Sequence, residues 1–194
     1  MKLAVFASGS GSNFEAIVGA VHAGDIAGTV QVLICDKGDA FALERAERLC
    51  IPAYVLEPRK YGSKVEYEEA VLQVLRSYEV ELIILAGYMR LVGDTLLSAY
   101  ENRIINIHPS LLPAFPGLDA IGQAFDAGVK ITGVTVHYVD AGMDTGPIIA
   151  QEAVKVEDSD NKEAVQRKIQ AVEHSLYPKT VQHVIEDLGR RINQ

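Results

Sequence analysis

The chain has 194 residues, of which 48% are hydrophobic and 23% charged, and its 18 basic and 26 acidic residues give a formal net charge of -8. These proportions are typical of a soluble one-domain protein that needs no disulfide or metal to fold, and the acidic balance disfavours broad nucleic-acid binding. Because the sequence has no signal-peptide pattern, no apolar run long enough for a bilayer and only two cysteines without a Cys-x-x-Cys motif, we expect a cytoplasmic protein with no membrane or nucleic-acid partner.

The first half of the chain alternates between predicted strands and predicted helices. The strands are apolar runs at 2–7, 29–35, 53–56, 80–87 and 103–107. The helices, indicated by apolar residues three or four positions apart, begin at Phe14 and cover 38–50, 64–78 and 91–100. Strict alternation implies right-handed crossovers, which produce a mostly parallel sheet with helices on both faces.

The pattern changes after the fifth predicted strand. Residues 109–117 contain three prolines and a glycine, which predicts a loop, and residues 118–127 are compatible with a helix. Two further apolar runs, at 131–139 and 147–156, read as strands on either side of the loop 140–146. Because this loop is short, we expect the two strands to pair antiparallel.

The C-terminal region is predicted to be helical. Asp160 and Glu163 have the spacing of a capping box, which predicts a helix from there toward Leu176. Pro178 is expected to begin a separate helix. The sequence therefore predicts an α/β, Rossmann-like three-layer fold with a mostly parallel central sheet, an antiparallel C-terminal part and a single domain over residues 1–194.

A glycine-rich segment, SGSGSN at residues 8–13, separates the first predicted strand from the first predicted helix. Glycines allow backbone N–H groups to approach a phosphate closely, and the start of the helix adds a favourable dipole. The first two glycines of a dinucleotide fingerprint are present, but Phe14 stands where the third belongs. Asp36, at the end of the second strand, could serve as the acidic ribose ligand of a dinucleotide fold. We favour a phosphate site and keep dinucleotide binding as the alternative.

Three polar residues near the ends of the later strands could carry catalysis. Asn106 and His108 lie on the same side of the fifth strand, at the sheet edge where open α/β folds bind ligands. An Asn beside a His suits oxyanion stabilisation and proton transfer, although a structural His at a strand end fits equally well. Asp144 could orient and charge His108, or be a solvated turn residue, and His137 points toward the same loop. No histidine pair has metal-ligand spacing, so we predict no metal.

Five motifs in a fixed order carry a family resemblance. They are SGSGSN at 8–13, LAGYMRLV at 85–92, NIHPSLLPAFPG at 106–117, GVTVHYVDAGMDTGPIIAQ at 133–151 and VEHSLYP at 172–178. Over roughly residues 1–178, the chain is similar to the glycinamide ribonucleotide formyltransferases of purine synthesis. NIHPSLLP is shared with the wider formyltetrahydrofolate-dependent family, whereas the first loop and the single-domain length favour this member.

The resemblance assigns roles to particular residues. It implies a catalytic group of Asn106, His108 and Asp144. It implies ribonucleotide contacts through Gly11, Ser12, Asn13 and Glu173. It implies folate contacts through Lys64, Met89, Arg90, Leu91, Val92 and Asn106. Two positions depart from the family pattern. Lys64 stands where Arg is frequent, which removes a bidentate carboxylate contact but keeps the charge, and Asp119-Ala120-Ile121 replaces a stretch that is His-rich in some members.

The resemblance also implies the reaction. The formyl group of the co-substrate 10-formyltetrahydrofolate would pass directly to the amine of glycinamide ribonucleotide through a tetrahedral intermediate. Asn106 and protonated His108 would stabilise that intermediate, and Asp144 would keep His108 charged. We expect residues up to about 100 to form the nucleotide-binding half and residues from about 101 the folate-binding and catalytic half, in a monomer or homodimer whose ligands are small molecules.

Other activities remain open within the same chemistry. Another 10-formyltetrahydrofolate-dependent formyltransferase and a formyltetrahydrofolate hydrolase are the nearest alternatives. The enzyme that formylates methionyl-tRNA carries an additional C-terminal β-barrel, and the deformylase carries an N-terminal regulatory domain, and we expect neither in this acidic chain. A non-catalytic Rossmann-type nucleotide-binding module is a more distant alternative, which would leave the pair Asn106 and His108 without a role.

Overall fold

The computed structural model describes residues 1–192, with side chains up to residue 190; residues 193 and 194 of the predicted domain lie outside the described residues. In chain order the elements are β1 (Lys2–Ala7), α1 (Ser12–Ala23), β2 (Thr29–Cys35), α2 (Phe41–Arg48), β3 (Ala53–Val55), a 3-10 turn (Pro58–Lys60), α3 (Lys64–Ser77), β4 (Leu82–Leu85), α4 (Asp94–Ala99), β5 (Ile104–His108), α5 (Ala120–Asp126), β6 (Ile131–Tyr138), β7 (Ile148–Lys155) and α6 (Lys162–Ile192).

The seven strands of the described chain form one sheet in the order β3-β2-β1-β4-β5-β6-β7. From β3 to β5 every neighbouring pair is parallel. Strand β6 pairs antiparallel with both β5 and β7. The predicted α/β class is therefore confirmed, with its mostly parallel sheet and its antiparallel C-terminal part. The order reverses direction at β1, so the loops after β1 and β4 open a crevice at the carboxyl edge of the sheet.

Helices cover both faces of the sheet, as strand β1 illustrates. Leu3 and Val5 point into one core, which is closed by α1, α2 and α6. Ala4 and Phe6 point into a second core, which is closed by α3 and α4. A strand that is apolar at successive positions fits only between two such layers, and each large side chain it buries stabilises the fold by about 1.5–3 kcal/mol. This is the three-layer arrangement that the sequence predicts.

The prediction of a separate helix at Pro178 is wrong. Helix α6 is continuous from Lys162 to Ile192 and contains Pro178 in its interior. A proline inside a helix removes one backbone hydrogen bond and costs about 3 kcal/mol. Fully buried residues on both sides of it, Ile169 and Tyr177 before and Val181 after, hold the helix against the first core. Burial of this apolar face outweighs the local cost.

The predicted cap of this helix is also wrong, by one residue. The side chain of Asn161, not of Asp160, accepts a free N–H of the first turn, that of Ala164, at 2.9 Å. The carboxylate of Asp160 instead accepts the N–H of Glu157 at 2.8 Å and the ammonium of Lys168 at 2.5 Å.

Among the described residues, no helix is both long and apolar enough to cross a membrane.

Candidate active site

The glycine-rich segment 8–13 is a turn held between two neighbouring elements. On one side, the Met89 N–H donates to the Ser8 hydroxyl at 2.9 Å. On the other side, the Ala42 N–H at the start of α2 donates to the Gly9 carbonyl at 3.0 Å. Helix α1 begins directly after Gly11 and has no side-chain cap there. Its first N–H groups are therefore available to an anion, as phosphate-binding turns require.

Gly11 is the glycine of this turn that no residue with a side chain can replace without strain. Its φ is +72°, in the left-handed region, and a Cβ added to it would lie 2.7 Å from the Cβ of Ala42 and 2.8 Å from the Cα of Ala42. Close packing of the turn against a helix therefore occurs at Gly11 and α2. Phe14, which occupies the third glycine position of the dinucleotide fingerprint, is fully buried in the first core. In a dinucleotide-binding fold a glycine at this position lets the helix and strand backbones pack closely, and a phenylalanine ring does not. The ring therefore disfavours the dinucleotide alternative.

Helix α6 brings Glu173 to this turn from the other end of the chain. The Asn13 amide N–H donates to the Glu173 carboxylate at 3.1 Å. Burial raises the pKa of Glu173, and the bond from Asn13 offsets only part of that effect. The carbonyl oxygen of the Asn13 side chain is buried and has no hydrogen-bond partner. The pair therefore offers a carboxyl acceptor and an unused amide acceptor beside the glycine-rich turn at residues 8–13, which suits a ligand rich in hydroxyl groups.

Gln170 joins this group and was not predicted. Its side-chain N–H lies 3.5 Å from the Ser12 hydroxyl, and it lines the same cleft as Glu173. The two residues are three positions apart on α6 and so share a face of the helix. That spacing from the predicted Glu173 is the sequence signal that could have identified Gln170.

The candidate catalytic residues stand in two rows across the antiparallel strands. Asn106 of β5 lies directly opposite His137 of β6, and His108 lies opposite Thr135. Side chains in such positions lie on one face of the sheet about 4.5–5.5 Å apart. Ile107, between the two β5 residues, points into the first core on the opposite face. The alternation that places Asn106 and His108 on one side is therefore present.

Both ring nitrogens of His108 face hydrogen-bond acceptors. Nε2 lies 2.8 Å from the carbonyl oxygen of Phe115, and Nδ1 lies 3.3 Å from a carboxylate oxygen of Asp144. A carbonyl oxygen only accepts, so Nε2 carries a proton and donates it. A lone pair on Nδ1 would face the carboxylate unfavourably. The imidazolium form is therefore the one that satisfies both contacts.

His137 fixes the orientation of the Asn106 amide. Its Nδ1 lies 2.8 Å from the Tyr138 carbonyl oxygen, to which it can only donate. In the neutral ring Nε2 then carries the lone pair, and it lies 3.1 Å from the Asn106 amide nitrogen. Asn106 therefore donates one N–H to His137 and retains a second for another acceptor.

Asp144 is held close to both histidines by the loop between β6 and β7. One carboxylate oxygen accepts the Gly117 N–H at 2.8 Å and the other lies 3.7 Å from Nε2 of His137. Burial by itself raises the pKa of Asp144, but the hydrogen bond from the Gly117 N–H and the charge of His108 hold that pKa below its usual value. Asp144 is therefore a carboxylate at neutral pH, facing His108.

One cleft of about 480 Å³ unites most of the predicted residues. It is lined by the glycine-rich turn 8–13, by Glu173, by the segment 89–92 and by the predicted catalytic residues Asn106, His108 and Asp144. Met89 and Leu91 are 60% and 52% exposed at its rim. Such exposed apolar side chains at a concave site suit a flat, partly apolar ligand.

Lys64 does not line this cleft. It lines a neighbouring cleft of about 1180 Å³ beyond the segment 89–92, together with Asp36. Arg90 borders both clefts, and its guanidinium lies 3.7 Å from the Asp36 carboxylate. The structure therefore brings together the predicted catalytic and ribonucleotide residues with residues 89–92, and leaves Lys64 on the far side of that segment.

The arrangement is suited to acyl-type chemistry. No group of three or more His, Cys, Asp or Glu side chains placed to bind a metal ion occurs in the described part of the chain. The spare N–H of Asn106 and the imidazolium form of His108 can stabilise negative charge on a carbonyl oxygen. The carboxylate of Asp144 can hold the ring in its charged form.

The chain is similar to known proteins over nearly its whole length. Residues 1–181 match the family model described as formyl transferase. The chain is 55% identical to phosphoribosylglycinamide formyltransferase of Bacillus subtilis (strain 168), over 95% of this chain and 94% of that protein. It is 39% identical to the trifunctional purine biosynthetic protein adenosine-3 of Gallus gallus, over 95% of this chain but 18% of that much longer protein.

A solved structure agrees as well. The crystal structure of phosphoribosylglycinamide formyltransferase from Bacillus halodurans matches this fold with a TM-score of 0.93 and 57% identity, and the match covers 95% of each chain. These relatives are transferases, and the family predicted from the five motifs is confirmed. The chain belongs to the formyl transferase family.

Proposed function

We propose that the chain transfers the formyl group of 10-formyltetrahydrofolate to the amine of glycinamide ribonucleotide, in the biosynthesis of IMP. The observation that carries this proposal is the approach of Asp144 to His108, 3.3 Å apart, in the same cleft as the phosphate turn. A carbonyl-activating group and an anion site in one cleft suit an acceptor that carries an amine and a phosphate. The identities with phosphoribosylglycinamide formyltransferases support the same substrates.

In this proposal the ribonucleotide occupies the phosphate-turn end of the cleft. The N–H groups at Gly11, Ser12 and Asn13, together with the Ser12 hydroxyl, bind the phosphate at the start of α1. Glu173 accepts hydrogen bonds from the ribose hydroxyls. Its contact with Asn13 and its buried position support this role, because a buried carboxylate accepts strongly from a bound hydroxyl.

The folate occupies the segment 89–92 and the rim of the cleft. Met89, Leu91 and Val92 supply apolar contacts, and the backbone there supplies hydrogen-bond groups. Arg90 and Lys64 supply positive charge toward the second cleft, where a carboxylate-bearing part of the co-substrate would lie. When bound, the co-substrate supplies an activated formyl group.

The catalytic group acts on the formyl carbonyl. Asn106 donates its second amide N–H to the carbonyl oxygen as negative charge develops there. His108 stabilises the same charge and moves a proton toward the departing nitrogen, and Asp144 keeps the ring charged. Since both nitrogens of His108 face acceptors in the described structure, substrate entry must exchange one of these contacts for the formyl oxygen.

We further propose that residues 1–194 act as one cytoplasmic domain, as a monomer or homodimer, on small molecules alone. The net charge of -8 supports the absence of a nucleic-acid partner. The phosphate turn is in the first half and the catalytic group in the second, as the sequence division proposes. Glu173 and the segment 89–92 each act across that division.

An absorbance assay of tetrahydrofolate formation tests the reaction. Product that forms only with glycinamide ribonucleotide supports transfer, whereas equal product without it supports a hydrolase. Asn106→Ala and His108→Ala should each lower kcat by about 10²- to 10³-fold. Ser12→Ala should raise KM for the ribonucleotide more than it lowers kcat. Near wild-type kcat in either of the first two variants would refute the assigned roles.

A further inference from the structure

The cross-strand row of His108 and Thr135 continues onto β7, away from the cleft. Thr135 of β6 stands opposite His108 of β5 on one side and opposite Gln151 of β7 on the other. Thr135 is fully buried and does not line either cleft. The three side chains therefore form a continuous line across the antiparallel part of the sheet, with His108 at its inner end.

Every hydrogen-bonding position of the Thr135 hydroxyl is occupied. It donates to the Ser110 carbonyl at 2.7 Å, and it accepts the Leu112 N–H at 3.0 Å and a Gln151 amide N–H at 2.9 Å. The Gln151 amide also donates to the Leu112 carbonyl at 2.9 Å. One hydroxyl and one amide thus bind the backbone of residues 110–112 at three points, and a hydroxyl offers no more than one donor and two acceptors.

The same backbone segment continues to the acceptor of His108. The Ser110 hydroxyl donates to the Ala114 carbonyl at 2.5 Å, and the Ala114 N–H donates to the Leu111 carbonyl at 3.0 Å. The next residue, Phe115, has a φ of +54°, a left-handed conformation that non-glycine residues rarely adopt. Its carbonyl oxygen accepts Nε2–H of His108 at 2.8 Å. The left-handed backbone of Phe115 is thus found at the residue whose carbonyl contacts the His108 ring.

We propose that Thr135 and Gln151 are positioning residues for His108, which act through the segment 110–115 by fixing the Phe115 carbonyl against Nε2; the catalytic consequence rests on the proposed function. With the carbonyl in place, Nε2 must carry a proton and Nδ1 is left for Asp144 and substrate. Without it, the ring is free to place its proton on Nδ1 alone, because that neutral form also satisfies Asp144.

The test compares three substitutions in β6 and one in β7. Thr135→Val removes the hydroxyl and keeps the shape, and Thr135→Ser restores the hydroxyl. Thr132→Val is the matched control, because Thr132 is a buried residue of the same strand whose hydroxyl has no hydrogen-bond partner. Gln151→Met removes both amide donors at an exposed position and serves if Thr135→Val does not fold.

The first measurement is long-range proton–nitrogen NMR of the histidine ring nitrogens in the free protein, with His22, His174 and His183 as internal references. We expect a protonated Nε2 for His108 in the wild type, Thr135→Ser and Thr132→Val. In Thr135→Val and Gln151→Met the His108 signals should move toward a mixture of tautomers. Unchanged His108 signals in both of these folded variants, or an equal change in Thr132→Val, would overturn the proposal.

The second measurement is the formyl transfer assay. We expect kcat to fall about 10- to 100-fold in Thr135→Val, because small displacements of a catalytic group are this costly, with KM for both substrates unchanged. Loss through KM alone would contradict a role that acts on His108. If the wild type transfers no formyl group, the proposed function fails, and the nitrogen signals alone decide whether these residues position the ring.

Discussion

Replacing Gly11 with alanine tests the account of the phosphate turn most directly. The new Cβ would lie 2.7 Å from the Cβ of Ala42 and 2.8 Å from its Cα, and the backbone would keep a φ of +72°. A left-handed conformation costs an alanine about 1–2 kcal/mol, and overpacking against a rigid helix costs about 1–3 kcal/mol more. Reduced freedom of the unfolded chain returns about 0.4–1 kcal/mol. The expected net loss is therefore about 1–5 kcal/mol.

Gly9→Ala is the matched control, since Gly9 lies in the same turn with no atom within 4 Å of its added Cβ. Urea denaturation should show the full loss for Gly11→Ala and a change within about 0.5 kcal/mol for Gly9→Ala. The corresponding shift in Tm is about 2–20 °C. Because relief of the clash moves the turn away from α2, KM for the ribonucleotide should rise as well. Equal stability of the two variants would refute the packing argument.

Three further predictions follow from charged groups at or near the site. Asp144→Asn keeps an acceptor for the Gly117 N–H but removes the charge facing His108, and should lower kcat by about 10²- to 10⁴-fold with little change in Tm. Because the pKa of Asp144 lies below its usual value, protonation of this group should lower wild-type activity only at a pH below the ordinary aspartate range. Glu173→Gln should stabilise the fold at pH 7 while weakening ribonucleotide binding, because a carboxyl pKa that is raised in the folded state destabilises that state at any pH above the unfolded pKa. The gain in the free energy of unfolding should vanish as the pH falls to about 4. A gain that persists at that pH would contradict the raised pKa as its cause. Glu68→Ala removes the buried acceptor of the Gly93 N–H, at 2.6 Å, at the start of α4, and should cost about 1–3 kcal/mol in urea denaturation, whereas the exposed neighbour Glu69→Ala should not.

The sheet could be predicted because burial on two faces leaves a plain pattern in the sequence. Strands β1, β2 and β4 coincide with apolar runs, and their alternation with helices fixes the parallel order. The predicted ends of a strand differ from the observed ends where a turn interrupts the hydrogen-bond ladder. The run predicted as a strand over 80–87 forms β4 only at Leu82–Leu85, because Ala86 and Gly87 leave the ladder and Gly87 has a φ of +77°.

The candidate site was predictable as residues and not as contacts. The order of the motifs was enough to identify Asn106, His108 and Asp144 as site residues. The sequence does not show, however, where the side chain of a loop residue such as Asp144 lies. The acceptor of Nε2 of His108 is a backbone carbonyl, and a carbonyl is present at every position of a sequence. Pro178 misled the prediction for a related reason, because local propensity is visible in sequence and the packing that outweighs it is not.

The contact between Asn13 and Glu173 joins positions 160 residues apart along the chain. The turn after β1 is synthesised before α6, and its partner arrives only when α6 has docked across the sheet. A ribosome-bound chain that lacks α6 therefore presents half of the proposed nucleotide pocket, and under the proposed function affinity for the ribonucleotide would report that α6 is in place.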